Sequence, residues 1–141
     1  MKKKIKIIII VLIPIILAAS AFVYKAYTRK PKTALDLPAD YKITAESLFN
    51  EFNNNETEAL NKYTDKVIEV KGIVETINQN GNETDVVLQT PDPLTAINVQ
   101  LLPEMKNKLN QIKQGEEVTL KAILKGKLSD IELNRGAILE Q

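Results

Sequence analysis

The stretch Lys66 to Ile77, Lys-Val-Ile-Glu-Val-Lys-Gly-Ile-Val-Glu-Thr-Ile, constrains what the rest of the chain can fold into. Ile68, Val70 and Val74 fall on one face of an extended strand, and Glu69, Lys71 and Glu75 on the other. That is the period-two signature of a half-buried strand. Val67, Ile73 and Ile77 break the polarity of the second face. Gly72, in the middle, is expected to mark a bulge or sharp bend that carries the strand from one sheet into another.

The residues that follow read as its partners. Gln79-Asn80-Gly81-Asn82 is a hairpin turn with Asn-Gly at its centre, and Thr84 to Thr90 is the returning strand. Pro91-Asp92-Pro93 breaks the pairing. Ala96 to Leu101 resumes it, with Ile97, Val99 and Leu101 inward and Asn98 and Gln100 outward. Pro103 suits the first position of a helix, whose narrow apolar stripe is Met105, Leu109 and Ile112. Glu117 to Lys125 alternates cleanly, and Asp130 to Leu139 is the last strand, with Arg135-Gly136 as its bulge.

Ahead of the first strand, Thr44 reads as an N-cap for a helix with Ala45, Leu48, Phe49 and Phe52 on one face. Asn55 with Glu58 restarts a second helix carrying Ala59, Leu60 and Tyr63. Further back, Ile7 to Tyr24 is an unbroken run of apolar and small residues. At about 1.5 Å per residue it is long enough to cross the hydrocarbon layer. Its length and the cations Lys25, Arg29, Lys30 and Lys32 favour an uncleaved anchor. A signal peptide cut near Ala19-Ser20-Ala21 is the alternative. Residue 20 is serine, which excludes thiol-linked lipidation there. Each flank of the run carries four side-chain cations, so charge does not orient it; the signal-like head favours export of the domain. The expected organisation is an anchor or signal sequence over 1–28, a linker over 29–43 with Pro31 and Pro38, and a folded domain over 44–141.

The strand order is three strands, a helix, then two strands. Five short strands read as antiparallel, a bent first strand and a helix between the third and fourth are the ingredients of a mainly β, five-stranded barrel of the OB type. A five-stranded sandwich is the alternative. Asn55-Glu56, Ala59, Tyr63, Lys66, then Val67 to Ile77, and later Gly126, Asp130 to Arg135 and Ile138, resemble the tRNA_anti-like OB-fold family of exported or envelope-attached bacterial proteins. The resemblance runs from about Thr44 to the end and is most specific over Asn55 to Ile77. It implies architecture and not activity.

Composition then narrows the function. The 141 residues contain no histidine and no cysteine, which removes the commonest general base, the commonest metal ligand and any thiolate chemistry. No catalytic residue, cofactor or metal site is expected; the carboxylates Asp85, Asp92, Asp130 and Glu132 have no cation-loop spacing. Asn55 and Asn82 match the glycosylation sequon but are explained by the helix cap and the turn. The seven aromatic residues all precede the first barrel strand, and from Thr64 onward nine basic residues face twelve acidic ones, a net of −3. Single-stranded nucleic acid needs a basic groove and aromatic stacking platforms, so it is the disfavoured alternative. The expectation is a non-catalytic binding or assembly module at the membrane surface with an envelope protein or glycan partner. Its candidate patch is Asp85, Gln89, Asp92, Asn98 and Gln100; a purely structural role, with no ligand, is the rival.

Overall fold

The computed structural model describes residues 18–24 and 33–139. Two units are distinguished, 1–31 and 32–141. In the first, 18–24 are helical; most of the expected membrane segment lies outside the described residues, and no helix among those described is long and apolar enough to cross a membrane.

The second unit is built on six strands: β1 (Tyr41–Thr44), β2 (Val67–Asn80), β3 (Glu83–Leu88), β4 (Ile97–Leu101), β5 (Glu117–Lys127) and β6 (Ile131–Ile138). They run in the order β1-β2-β3-β4-β6-β5, and β5 returns to pair with β2, which closes a five-stranded barrel of β2 to β6 with β1 outside it. This is the OB topology. Four of the five barrel seams are antiparallel. The fifth corrects the all-antiparallel expectation: β4 and β6 run parallel, Ile97 beside Ile131 and Val99 beside Leu133.

β2 holds the barrel together because it serves neighbours on both edges. One edge pairs with β5 from Val67 to Ile73. The other pairs with β1 from Ile68 to Lys71 and with β3 from Val74 to Asn80. The residue types supply the burial: Ile68, Val70 and Val74 meet Val86, Leu88, Ile97, Val99, Val118, Leu120, Leu124, Ile131 and Leu133 inside. Each large aliphatic side chain so buried contributes about 1.5–3 kcal/mol.

Gly72 does not mark the bulge. It stays in register opposite Val118, and the irregularity falls between Val74 and Thr76. Its role is close approach, since a Cβ there would lie 2.8 Å from the Ala45 Cβ and 3.4 Å from Leu88 Cδ1. The bulge expected at Arg135-Gly136 is present: Arg135 has φ 52°, and β6 gains a residue against both β4 and β5. The hairpin turns at Gly81-Asn82 rather than at Asn80-Gly81, because Asn80 still pairs with Glu83 and Gly81 takes the positive φ of 60° that a two-residue hairpin needs.

Two helices, α1 (Ala45–Asn54) and α2 (Glu56–Tyr63), plug one end of the barrel. Both expected caps form: Thr44 Oγ1 accepts from the Ser47 N–H at 3.1 Å, and Asn55 Oδ1 from the Glu58 N–H at 3.2 Å. Leu48, Phe52, Ala59 and Tyr63 enter the barrel core. The Tyr63 hydroxyl donates to Glu51 at 2.9 Å, and Lys62 pairs with the same carboxylate at 2.8 Å, which holds the Glu51 pKa below its ordinary value. The other end is closed by Pro103–Gln111, which is a 3-10 helix and still buries Met105 and Ile112.

The expected linker over 29–43 needs correction from residue 33 onward. Ala34 and Leu37 pack on Val67 and Ile123, on the outside of the barrel. The Asp40 N–H donates to the Val67 carbonyl at 2.8 Å, and Asp40 Oδ2 accepts from the Val67 N–H at 2.9 Å. Tyr41–Thr44 is then a strand of the sheet, so these residues belong to the domain.

The Gly72 approach generates a prediction. Gly72→Ala should destabilise the domain by about 1–3 kcal/mol, the usual cost of overpacking, read as a fall in the thermal unfolding midpoint. Adding Ala45→Gly should restore part of the loss, because it removes the atom the new methyl would strike; a double variant no more stable than Gly72→Ala alone would show the crowding is not the cause.

Candidate binding face

Alternation along three strands turns polar residues to the outside of the barrel. On β3, Val86 and Leu88 face in and Asp85 faces out; on β4, Ile97, Val99 and Leu101 face in and Asn98 and Gln100 face out. On β6, Ile131 and Leu133 are buried, while Glu132 and Asn134 are half-buried on the outer side. Register brings these together across the strands: Asp85 stands opposite Gln100, and Asn98 beside Glu132.

The result is a shallow cleft of about 290 Å³ lined by Asp85, Asn98, Gln100, Lys125, Glu132, Leu133 and Asn134. Its lining is rich in acceptors. Lys125, its one cationic side chain, is held by Asp65 at 2.8 Å. Asn98 Oδ1 and Asn134 Oδ1 are shielded from solvent and accept no hydrogen bond. Partial burial pushes the Asp85 carboxyl pKa up, with the Glu83 charge adding to it. Burial also raises that of Glu132; the Asn98 amide opposes the shift, and the charges of Asp130 and Asp85 reinforce it.

Of the five residues expected from sequence, the cleft gathers Asp85, Asn98 and Gln100. Gln89 and Asp92 are elsewhere. Gln89 lines a separate cleft of about 340 Å³ with Thr44, Glu46, Lys71, Ile73 and Thr90, and its N–H donates to the Ile73 carbonyl at 2.9 Å. Asp92 shapes its own loop: Oδ1 accepts from the Leu94 N–H at 2.9 Å, and its carbonyl accepts from Thr90 Oγ1 at 2.8 Å. Glu132, Asn134 and Lys125 complete the polar lining of the cleft, beyond the residues expected from sequence. Their outward alternation was readable, but the parallel pairing that sets β6 beside β4 was not.

The arrangement offers no nucleophile with an adjacent base, and among the described residues no group of three or more acidic side chains is placed to hold a metal ion. Aromatic stacking surface is absent from the face, since no aromatic residue occurs after Tyr63. Tyr41, Phe52 and Tyr63 pack against one another instead, with centroids 5.0 Å apart for Tyr41–Tyr63 and 6.5 Å for Phe52–Tyr63.

A family model described as tRNA_anti-like matches residues 1–138. No curated protein matches the sequence. Among solved structures, the fold is similar to that of a protein from Klebsiella pneumoniae subsp. pneumoniae described as a candidate nucleic acid-binding lipoprotein, at 13% identity and a TM-score of 0.58, covering 69% of this chain and 91% of that one. A candidate aspartyl-tRNA synthetase from Leishmania major Friedlin aligns at 17% identity and a TM-score of 0.47, over 83% of this chain but 25% of the synthetase. At 13% identity the likeness to the Klebsiella protein concerns the fold alone.

The raised carboxyls carry a pH signature. A carboxyl whose pKa is higher in the folded state binds its proton more tightly there, so its contribution favours folding at low pH and is lost as pH rises through the shifted value. Glu132→Gln should therefore raise the unfolding midpoint relative to the parent protein at about pH 7. The gap should close toward roughly pH 3, below the ordinary Glu value near 4.3. Thermal melts across that range would check it, and a gap independent of pH would count against the shift.

Proposed function

The chain belongs to the tRNA_anti-like family, and on that premise we propose that it is a membrane-tethered, non-catalytic binding module of the bacterial envelope. Its domain is exported, and its ligand face is the outer surface of β3, β4 and β6. The observation that carries this reading is the cleft lined by Asp85, Asn98, Gln100, Glu132 and Asn134, in which two amide oxygens are shielded from solvent without a hydrogen bond. OB barrels bind ligands on this side of the barrel. Support for tethering comes from the apolar run Ile7 to Tyr24 and the cations that follow it. The Klebsiella neighbour, described as a lipoprotein, is in keeping with an envelope setting.

Nucleic acid is the second reading, favoured by the same neighbour's description. Electrostatics oppose it, because phosphate contacts dominate nucleic-acid affinity and here Asp85 and Glu132 occupy the face.

A photo-crosslinking residue placed at the exposed Gln100 should form an adduct with an envelope protein in living cells. The same residue at Lys108, on the 3-10 helix, should not. Adducts with no protein, or from Lys108 equally, would favour the structural role. Salt-sensitive, micromolar binding of a single-stranded oligonucleotide to the purified full-length chain would favour the nucleic-acid reading instead.

A further inference from the structure

We propose that the cleft between β3, β4 and β6 receives an arginine side chain projecting from a protein partner, with Glu132 pairing with the guanidinium and the amide oxygens of Asn98 and Asn134 taking its remaining N–H groups. The inference rests on the binding-face reading and names what that face binds.

Two independent observations lead to it. Asn98 Oδ1 and Asn134 Oδ1 lack any donor while shielded from solvent. A polar atom left so costs about 1–3 kcal/mol, and native proteins answer such costs with a partner. The torsion that turns an amide oxygen is soft, so the Asn134 oxygen swings toward the cleft when a donor arrives; the Asn98 amide, which already donates to Glu132, turns as the guanidinium takes over that carboxylate. The second observation is register. Asn98 and Glu132 are neighbours on parallel strands, about 4.8 Å apart, and Asn134 follows two residues later on the same side of β6. Three acceptor groups therefore surround one volume on two strands.

The chemistry of the set selects the ligand. A guanidinium offers five N–H donors in a rigid planar fork, two suited to a carboxylate and three left for neighbouring oxygens. An ammonium has three donors and gives up its hydration less readily. Phosphate and sugar-acid ligands meet Asp85 and Glu132 with like charge. Lys125 does not neutralise the cleft, because Asp65 already holds it.

The test uses the full-length protein in detergent solution, titrated calorimetrically with end-blocked tri-arginine, end-blocked tri-lysine and a single-stranded oligothymidine. The expected result is saturable binding of tri-arginine at least tenfold tighter than tri-lysine. Glu132→Gln should weaken it tenfold or more and Asn134→Ala severalfold, whereas Glu117→Gln, away from the cleft, should leave it unchanged. Thermal melts confirm that each variant is folded, and Glu132→Asp should recover part of the affinity. Absence of saturable tri-arginine binding, equal affinity for both peptides, equal loss in Glu117→Gln, or binding of the oligothymidine in their place would each overturn the assignment. If the Gln100 crosslink forms while tri-arginine fails to bind, the guanidinium assignment is wrong and the binding face stands; if neither occurs, both readings fall.

Discussion

The structure depends on one strand being shared. β2 has β5 along one edge and, on the other, β1 for its first half and β3 for its second. The exchange from β1 to β3 takes place at Gly72 and Ile73, where the first turn of α1 comes down on the barrel. Only a residue without a Cβ leaves room for Ala45 at that point. Were α1 held further out, Leu48 and Phe52 would be withdrawn from the core they now fill. Barrel closure and helix docking are therefore one packing problem with one small residue at its centre.

The same closure creates the outer face. Pairing β4 with β6 in parallel aligns the polar positions of three strands that are far apart in sequence, and it does so on a surface with net acceptor character. Three of the barrel's lysines are ion-paired: Lys71 with Glu117, Lys125 with Asp65 and Lys127 with Glu56. Exposed pairs of this kind add little stability, but the one with Asp65 engages the cleft's single cationic side chain. That imbalance, more than the identity of the fold, separates this barrel from one suited to phosphate backbones.

Sequence reading succeeded where a feature is local. Alternation placed the inward residues Ile68, Val70 and Val74 of β2 and Ile97, Val99 and Leu101 of β4, N-cap chemistry placed Thr44 and Asn55, and Arg135-Gly136 announced its bulge. It failed where a feature is set by distant partners. Tyr41–Thr44 is too short to show a period and becomes a strand only because β2 has a free edge beside it. Gln89 and Asp92 looked like neighbours of Asp85 because they follow it in the chain. The barrel instead brings Glu132 and Asn134 there from β6 and assigns Asp92 to its own turn.

The chain by itself thus determined the strand-rich class, the order of elements, the two capped helices ahead of the barrel and the absence of imidazole and thiol side chains, because each follows from residue types and short-range periodicity. Tertiary structure decided the parallel seam, the docking of 33–40 on the barrel wall, the crowding that requires glycine at 72 and the membership of the acceptor cleft. Those are consequences of which edges and faces meet, and such long-range pairings leave no periodic trace in a single sequence.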